Sequence, residues 1–63
     1  MWIIETPSAY RPMHNCLLGA GKTENEAWED AYEMPAGKAK RKHREAWSKE
    51  VTEDEYEERR ALA

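Results

Sequence analysis

The sequence predicts a small α+β protein in which a short antiparallel β-hairpin is packed by one helix and followed by a charged C-terminal helical arm. Three observations support this fold class. Two short runs of strand-forming residues lie near the N-terminus, an amphipathic helical pattern follows them, and blocks of charge dominate the rest of the chain. With 63 residues the chain is expected to form one domain, with residues 1–34 as hairpin and first helix and residues 38–63 as the helical arm.

The two strands of the predicted hairpin lie on either side of a proline-bounded loop. Residues 2–6 are mostly aromatic and β-branched, which favours a strand, and Pro7 ends it because proline cannot donate a hydrogen bond to a sheet. Residues 13–18 are predicted as the second strand. The connection is too short for a parallel crossover, so the pair is expected to be antiparallel.

The stretch that follows, LLGAGKT at residues 17–23, ends in the letters of a phosphate-binding loop. In the pattern G-x-x-x-x-G-K-[ST] the first glycine would fall at position 16, which is Cys16. The chain is also too short for the parallel sheet that such a site requires. We therefore favour a capping box in which Thr23 and Glu26 begin a helix, with Gly19 and Gly21 as a flexible exit from the strand.

The first helix is predicted from residue 24 to about residue 33. Its apolar residues fall at helical spacing on one side and are expected to cover the hairpin. They are Ala27, Trp28, Ala31 and Tyr32, with Met34 extending the stripe.

The helical arm is predicted to begin with a second helix from residue 38 to about residue 50. Its apolar positions, spaced three and four apart, are Ala39, His43, Ala46, Trp47 and Val51. The stripe changes side near Val51, and Thr52 with Glu55 forms a second capping box. A helix that is bent or restarted near Val51 is therefore expected, with an uninterrupted helix as the alternative.

Charge is segregated along the chain, although the net charge is only −3. Residues 1–34 contain two basic and six acidic side chains, a basic block follows within residues 38–44, and an acidic block lies within residues 50–58. Charge blocks of this kind act on association with other molecules rather than on the core.

The acidic side of the first helix is the first candidate binding surface. It carries Glu24, Glu26, Glu29, Asp30 and Glu33. Such a surface would attract a protein that binds nucleic acid. The loop residues Tyr10 and Arg11 are further candidate contacts with the partner. The competing interpretation is an ordinary solvated helix face.

The basic block is the second candidate surface. It consists of Lys38, Lys40, Arg41, Lys42 and Arg44. Five cations on one or two helical turns would contact phosphates and bind nucleic acid in a salt-sensitive way. The competing interpretation is a solvated face offset by acidic neighbours, because domains that bind nucleic acid are usually basic overall.

No pattern of reactive residues predicts an enzyme. Cys16 with His14 or His43 could form a nucleophile and base, but a lone thiol in a strand usually serves as a small apolar side chain. His14 and Cys16 are two ligands without a second pair, which is too few for a structural zinc site. We therefore expect no catalytic residue, no cofactor and no metal.

Size and cysteine content favour association and a reducing compartment. A single cysteine cannot form an internal disulfide, so a chain this small is expected to gain stability from a second copy or a partner. Pairing of hairpin edges across a two-fold axis predicts a homodimer. The sequence has no apolar run long enough for a membrane span, and a cytoplasmic location without membrane association is expected.

Residues 19–31, GAGKTENEAWEDA, resemble the glycine, T-x-E-E-A-W-x-D-A strand-to-helix element of small phage and prophage proteins. The same stretch is similar to the corresponding turn of HicB-like antitoxins, with Asn25 where a second glutamate is common. Small acidic proteins in that setting resemble anti-CRISPR and other host-takeover inhibitors. The resemblance implies a phage-encoded inhibitor in the host cytoplasm that occupies a surface of a nucleic-acid-handling host complex.

Overall fold

The computed structural model describes residues 1–8 and 15–62, with only the backbone of Leu62. The described elements are, in chain order, β1 (Trp2–Pro7), β2 (Asn15–Gly21), α1 (Glu24–Tyr32), α2 (Ala36–Lys42), β3 (Trp47–Glu50) and α3 (Glu53–Leu62). The α+β fold class is confirmed. The candidate contacts Tyr10 and Arg11 lie outside the described residues.

The three strands form one antiparallel sheet in the order β2-β1-β3. The antiparallel pairing of the first two strands is confirmed, although β2 continues past residue 18 to Gly21. Trp2 pairs with Gly21 on one side and with Glu50 on the other. The register of β1 and β2 shifts after Ile4, and the extra residue Leu18 forms a β-bulge.

The prediction of one helix from residue 38 to about residue 50 is wrong, and so is the uninterrupted alternative. Helix α2 ends at Lys42, and residues 47–50 form β3 along the edge of β1. Residues 38–63 are therefore not a helical arm, because a strand separates their two helices. The restart after Val51 is confirmed, since the Glu55 amide donates to Thr52 Oγ1 at 3.2 Å and begins α3.

Helices α1 and α2 cover the face of the sheet on which Ile4 lies. Ile4 and Ala27 are fully buried there with Trp28 and Ala39, and the predicted apolar side of α1 packs into this cluster. The remaining buried or partly buried members are Trp2, Leu18, Ala31, Tyr32, Met34, Ala36 and Ala46. This cluster is the main core, and it holds α1 against β2 and β1.

The opposite face of the sheet carries Ile3 and Glu5, because successive side chains of a strand alternate in direction. Ile3 is fully buried and Glu5 is 2% exposed. Arg59 of α3 donates to the Glu5 carboxylate at 2.5 Å, so α3 lies on this second face. Helices therefore lie on both faces of the sheet, and a partly buried ion pair joins α3 to the second face.

Gly19 and Gly21 let α1 approach β2 closely. A Cβ atom on Gly19 would lie 2.6 Å from the Ala31 backbone nitrogen, and one on Gly21 would lie 2.7 Å from the Ala27 nitrogen. Both glycines belong to β2, and no described glycine has a positive φ. The prediction of a flexible exit is therefore wrong, because these glycines are required by packing space rather than by backbone freedom.

Candidate functional site

The outward side of α1 presents the predicted acidic surface. Ala27 and Trp28 are buried on its inner side, whereas Glu26, Glu29 and Asp30 are exposed. At about 100° per residue these three carboxylates fall within an arc of about 100° on the outer side. We call them, together with the exposed Glu33 that caps the helix C-terminus, the α1 acidic face.

Two members of the α1 acidic face are fixed by backbone amides. Asp30 Oδ2 accepts from the Ala20 amide at 3.0 Å, and Glu26 Oε2 accepts from the Lys22 amide at 3.2 Å. The predicted cap is present, since Thr23 Oγ1 accepts from the Glu26 amide at 3.1 Å, but the Glu26 carboxylate reaches the amide one residue before the cap. These hydrogen bonds restrict the rotation of both carboxylate side chains.

The same hydrogen bonds argue against a phosphate-binding loop at residues 17–23. The amides of Ala20 and Lys22, which a phosphate would need, already donate to carboxylates. A phosphate placed there would meet two negative charges rather than free donors.

Glu24 lies apart from the other four predicted carboxylates, on the side of α1 that faces α2. Its Oε1 accepts from Lys40 Nζ at 2.9 Å. The hydrogen bond from Lys40 is the main reason that the pKa of Glu24 is lowered, and Ser48 makes a smaller contribution in the same direction. Glu24 therefore joins α1 to α2 rather than extending the α1 acidic face.

The predicted basic side chains are brought together on and just after α2. All five, Lys38, Lys40, Arg41, Lys42 and Arg44, belong to exposed residues. Lys40, Arg41 and Arg44 line an open concavity of about 410 Å³. Lys40 also forms an ion pair with Glu24 of α1, so the basic surface begins next to α1.

An aromatic row between α1 and the end of α2 was not predicted from the sequence. The rings of Trp28 and Tyr32 are stacked with centroids 6.0 Å apart, and His43 stacks on Tyr32 at 3.7 Å. Burial raises the pKa of Tyr32, and the nearby charge of Glu45 adds to the rise. The contact of Trp28 with Tyr32 could be predicted from their four-residue spacing on a helix. The contact of His43 could not, because its position depends on where α2 ends.

The residues considered for chemistry are Cys16, His14 and His43, of which the structure describes Cys16 and His43. Cys16 is exposed on β2, and His14 lies outside the described residues. Among residues 1–8 and 15–62, no three His, Cys, Asp or Glu side chains are grouped so that they could hold a metal ion.

Within the same described ranges, none of the helices has the length and apolar character needed to cross a bilayer.

No protein-family model matches the chain, and no curated protein or solved structure matches it significantly. The surfaces themselves are therefore the basis for a functional proposal.

Proposed function

We propose that this protein is a non-enzymatic protein-binding module that inhibits its partner by occupying a basic, nucleic-acid-binding surface with the α1 acidic face. The observation that carries this proposal is the fixing of Asp30 and Glu26 by the amides of Ala20 and Lys22. The resemblance of residues 19–31 to phage proteins supports an inhibitor encoded by a phage, with a nucleic-acid-handling host complex as the partner.

Fixed carboxylates suit this role for an energetic reason. Binding normally costs free energy because side chains at the interface lose rotamer freedom, at about 0.5–1.5 kcal/mol for each long side chain. Glu26 and Asp30 have given up part of that freedom within the folded protein. Their oxygens can therefore receive hydrogen bonds from lysine and arginine, which otherwise bind phosphate, at a reduced cost.

A capture experiment with matched variants tests the proposal. The protein is immobilised and exposed to a nuclease-treated host lysate, as wild type, as Glu26→Gln/Asp30→Asn, which keeps an acceptor for each backbone amide, and as Glu55→Gln/Glu58→Gln. The last variant removes the same charge from α3, on the other side of the sheet. We expect wild type and the α3 variant to retain a protein partner that duplex DNA displaces, and the α1 variant to lose it.

The proposal would be contradicted by equal capture with all three proteins, because a general effect of net charge would then explain retention. It would also be contradicted by a partner that duplex DNA fails to displace. Circular dichroism spectra of the three proteins provide the control for folding.

The basic surface gives a second candidate function, nucleic-acid binding. The concavity lined by Lys40, Arg41 and Arg44 is the observation that favours it. Three phosphate contacts there would make the logarithm of the duplex DNA affinity fall with the logarithm of salt concentration with a slope of about −3. A gel-shift salt series should show this slope for wild type and about one third of it for Arg41→Gln/Arg44→Gln. A slope near zero for wild type would reject this candidate.

A further inference from the structure

We propose that the outer edge of β2 binds an extended, lysine- or arginine-bearing segment of a partner protein as an added antiparallel or parallel strand. This inference rests on the proposed function, because it specifies how a partner drawn to the α1 acidic face is held.

Strand β2 is an outer strand that, apart from the bulge at Leu18 and the contact with Asp30, has few of the features that protect sheet edges. No described strand pairs with its outer side, and its seven residues include no charged residue and no proline. The other outer strand, β3, is four residues long and exposes Lys49 and Glu50. Short length and charge discourage pairing of an edge strand, so β2 is the edge that favours an added strand.

The position of Asp30 defines which part of this edge can pair. The Ala20 amide donates to Asp30 rather than to β1, so this amide points to the outer side of β2. Asp30 thereby occupies the C-terminal end of the edge. Asn15 and Cys16 are exposed, and Leu17 and Leu18 are half-buried, so the N-terminal half of β2 is the part left for pairing.

The charge beside β2 selects the chemistry of the incoming strand. Helix α1 lies directly on β2, with Ala31 against Gly19, and Asp30 reaches around to the outer edge. Every second side chain of an added strand would point to this side of the sheet. Lysine or arginine at those positions would meet the α1 acidic face, whereas a second copy of this chain would bring a second set of carboxylates to the same place.

Peptide probes test the strand and the charge separately. The first probe is a fluorescent peptide in which lysine alternates with valine. The second is the same peptide N-methylated at alternate residues, which removes donors on one edge, and the third has glutamate for lysine. We expect the N-methylated peptide to bind the intact protein about tenfold more weakly than the first, and the glutamate peptide more weakly still.

Variants of the protein complete the test. Asp30→Asn retains an acceptor for the Ala20 amide, and together with Glu33→Gln it should weaken binding of the lysine peptide about fivefold or more. Glu55→Gln/Glu58→Gln should leave binding unchanged. On addition of the lysine peptide, hydrogen exchange should slow at the outward-pointing amides among residues 15–18 and not at the amides of residues 47–50.

The outcomes distinguish this inference from the proposed function. If the α1 variants lose the lysine peptide but N-methylation has no effect, the edge of β2 is not the site, while the proposed function survives. If the lysine and glutamate peptides bind equally, the charge selection is wrong. If hydrogen exchange at residues 15–18 slows as the protein concentration is raised without peptide, a second copy occupies the edge and the inference is overturned.

Discussion

Gly19 and Gly37 are a matched pair for testing how much the close packing of α1 on β2 contributes to stability. Gly19→Ala places a methyl group 2.6 Å from the Ala31 backbone nitrogen, which cannot move without shifting α1. We expect a loss of about 2–3 kcal/mol in the free energy of unfolding. Gly37→Ala meets only Arg41 Nη1 at 3.7 Å and should raise stability by about 0.5–1 kcal/mol. Urea denaturation measures both, and equal effects would contradict the packing argument.

Glu33 is the one described non-glycine residue with a positive φ, 54°, at the C-terminus of α1. Glycine and asparagine tolerate this left-handed conformation better than glutamate does. Glu33→Gly should therefore raise the free energy of unfolding by about 0.5–1 kcal/mol, measured by thermal denaturation. Glu33→Gln removes the same charge without relieving the backbone, and a gain of equal size in that variant would assign the effect to charge.

The pair of Glu24 and Lys40 predicts a pH-dependent contribution to stability. The pKa of Glu24 is lowered from 4.5 in the folded protein, chiefly by the hydrogen bond from Lys40. A lowered folded pKa stabilises the protein above the unfolded pKa, and the contribution is lost as the pH falls through the folded value. In Lys40→Met, an NMR titration should show the pKa of Glu24 rising toward 4.5. An unchanged pKa would mean that the ion pair does not persist in solution.

Residue-level predictions succeeded where the signal is local. The hydroxyls of Thr23 and Thr52 cap α1 and α3. Each cap was predicted from the glutamate that lies three residues later in the sequence. The requirement for Gly19 and the reach of Asp30 to the Ala20 amide could not be predicted, because both depend on how closely α1 settles on β2. The four carboxylates of the α1 acidic face were identified, and the separate role of Glu24 was not.

At the level of elements, β3 shows what local spacing misses. Residues 38–50 contain apolar residues at helical spacing and no proline or glycine after Gly37, so the pattern favours one helix. The strand forms because its amides pair with β1, more than forty residues earlier in the chain. A four-residue strand of this kind is stabilised mainly by its partner, and that partner is not visible in a sequence window.

The ion pair of Glu5 and Arg59 joins α3 to β1, and this contact gives an element-level prediction. The Glu5 carboxylate is 3% exposed and the Arg59 side chain is 28% exposed. Arg59→Met leaves a buried carboxylate without its partner and should cost about 2–4 kcal/mol in the free energy of unfolding. Glu5→Leu/Arg59→Met removes both groups and should recover most of that loss in urea denaturation. A double variant as unstable as Arg59→Met alone would show that packing, not unpaired charge, is the cause.

At the level of the whole molecule, the third strand changes the expectation of self-association. The sequence predicted a homodimer because a two-stranded hairpin is marginal alone. Strand β3 now covers the edge of β1, and the α1 acidic face flanks the outer side of β2. We expect a monomer by size-exclusion chromatography with light scattering at tens of micromolar. A dimer that persists at high salt would support the homodimer predicted from the sequence. It would also indicate that apolar contacts, rather than charges, hold the interface together.

The central position of β1 also has a consequence for biosynthesis. One neighbouring strand, β2, follows β1 closely in the sequence, whereas the other, β3, is formed only by residues 47–50. During translation the segment Trp2–Ile4, which includes the fully buried Ile3 and Ile4, leaves the ribosome long before the strand that will cover one of its edges. A nascent chain that stops before Trp47 would expose the unpaired edge of β1, which can pair with other chains. Premature termination should therefore yield insoluble or rapidly degraded fragments.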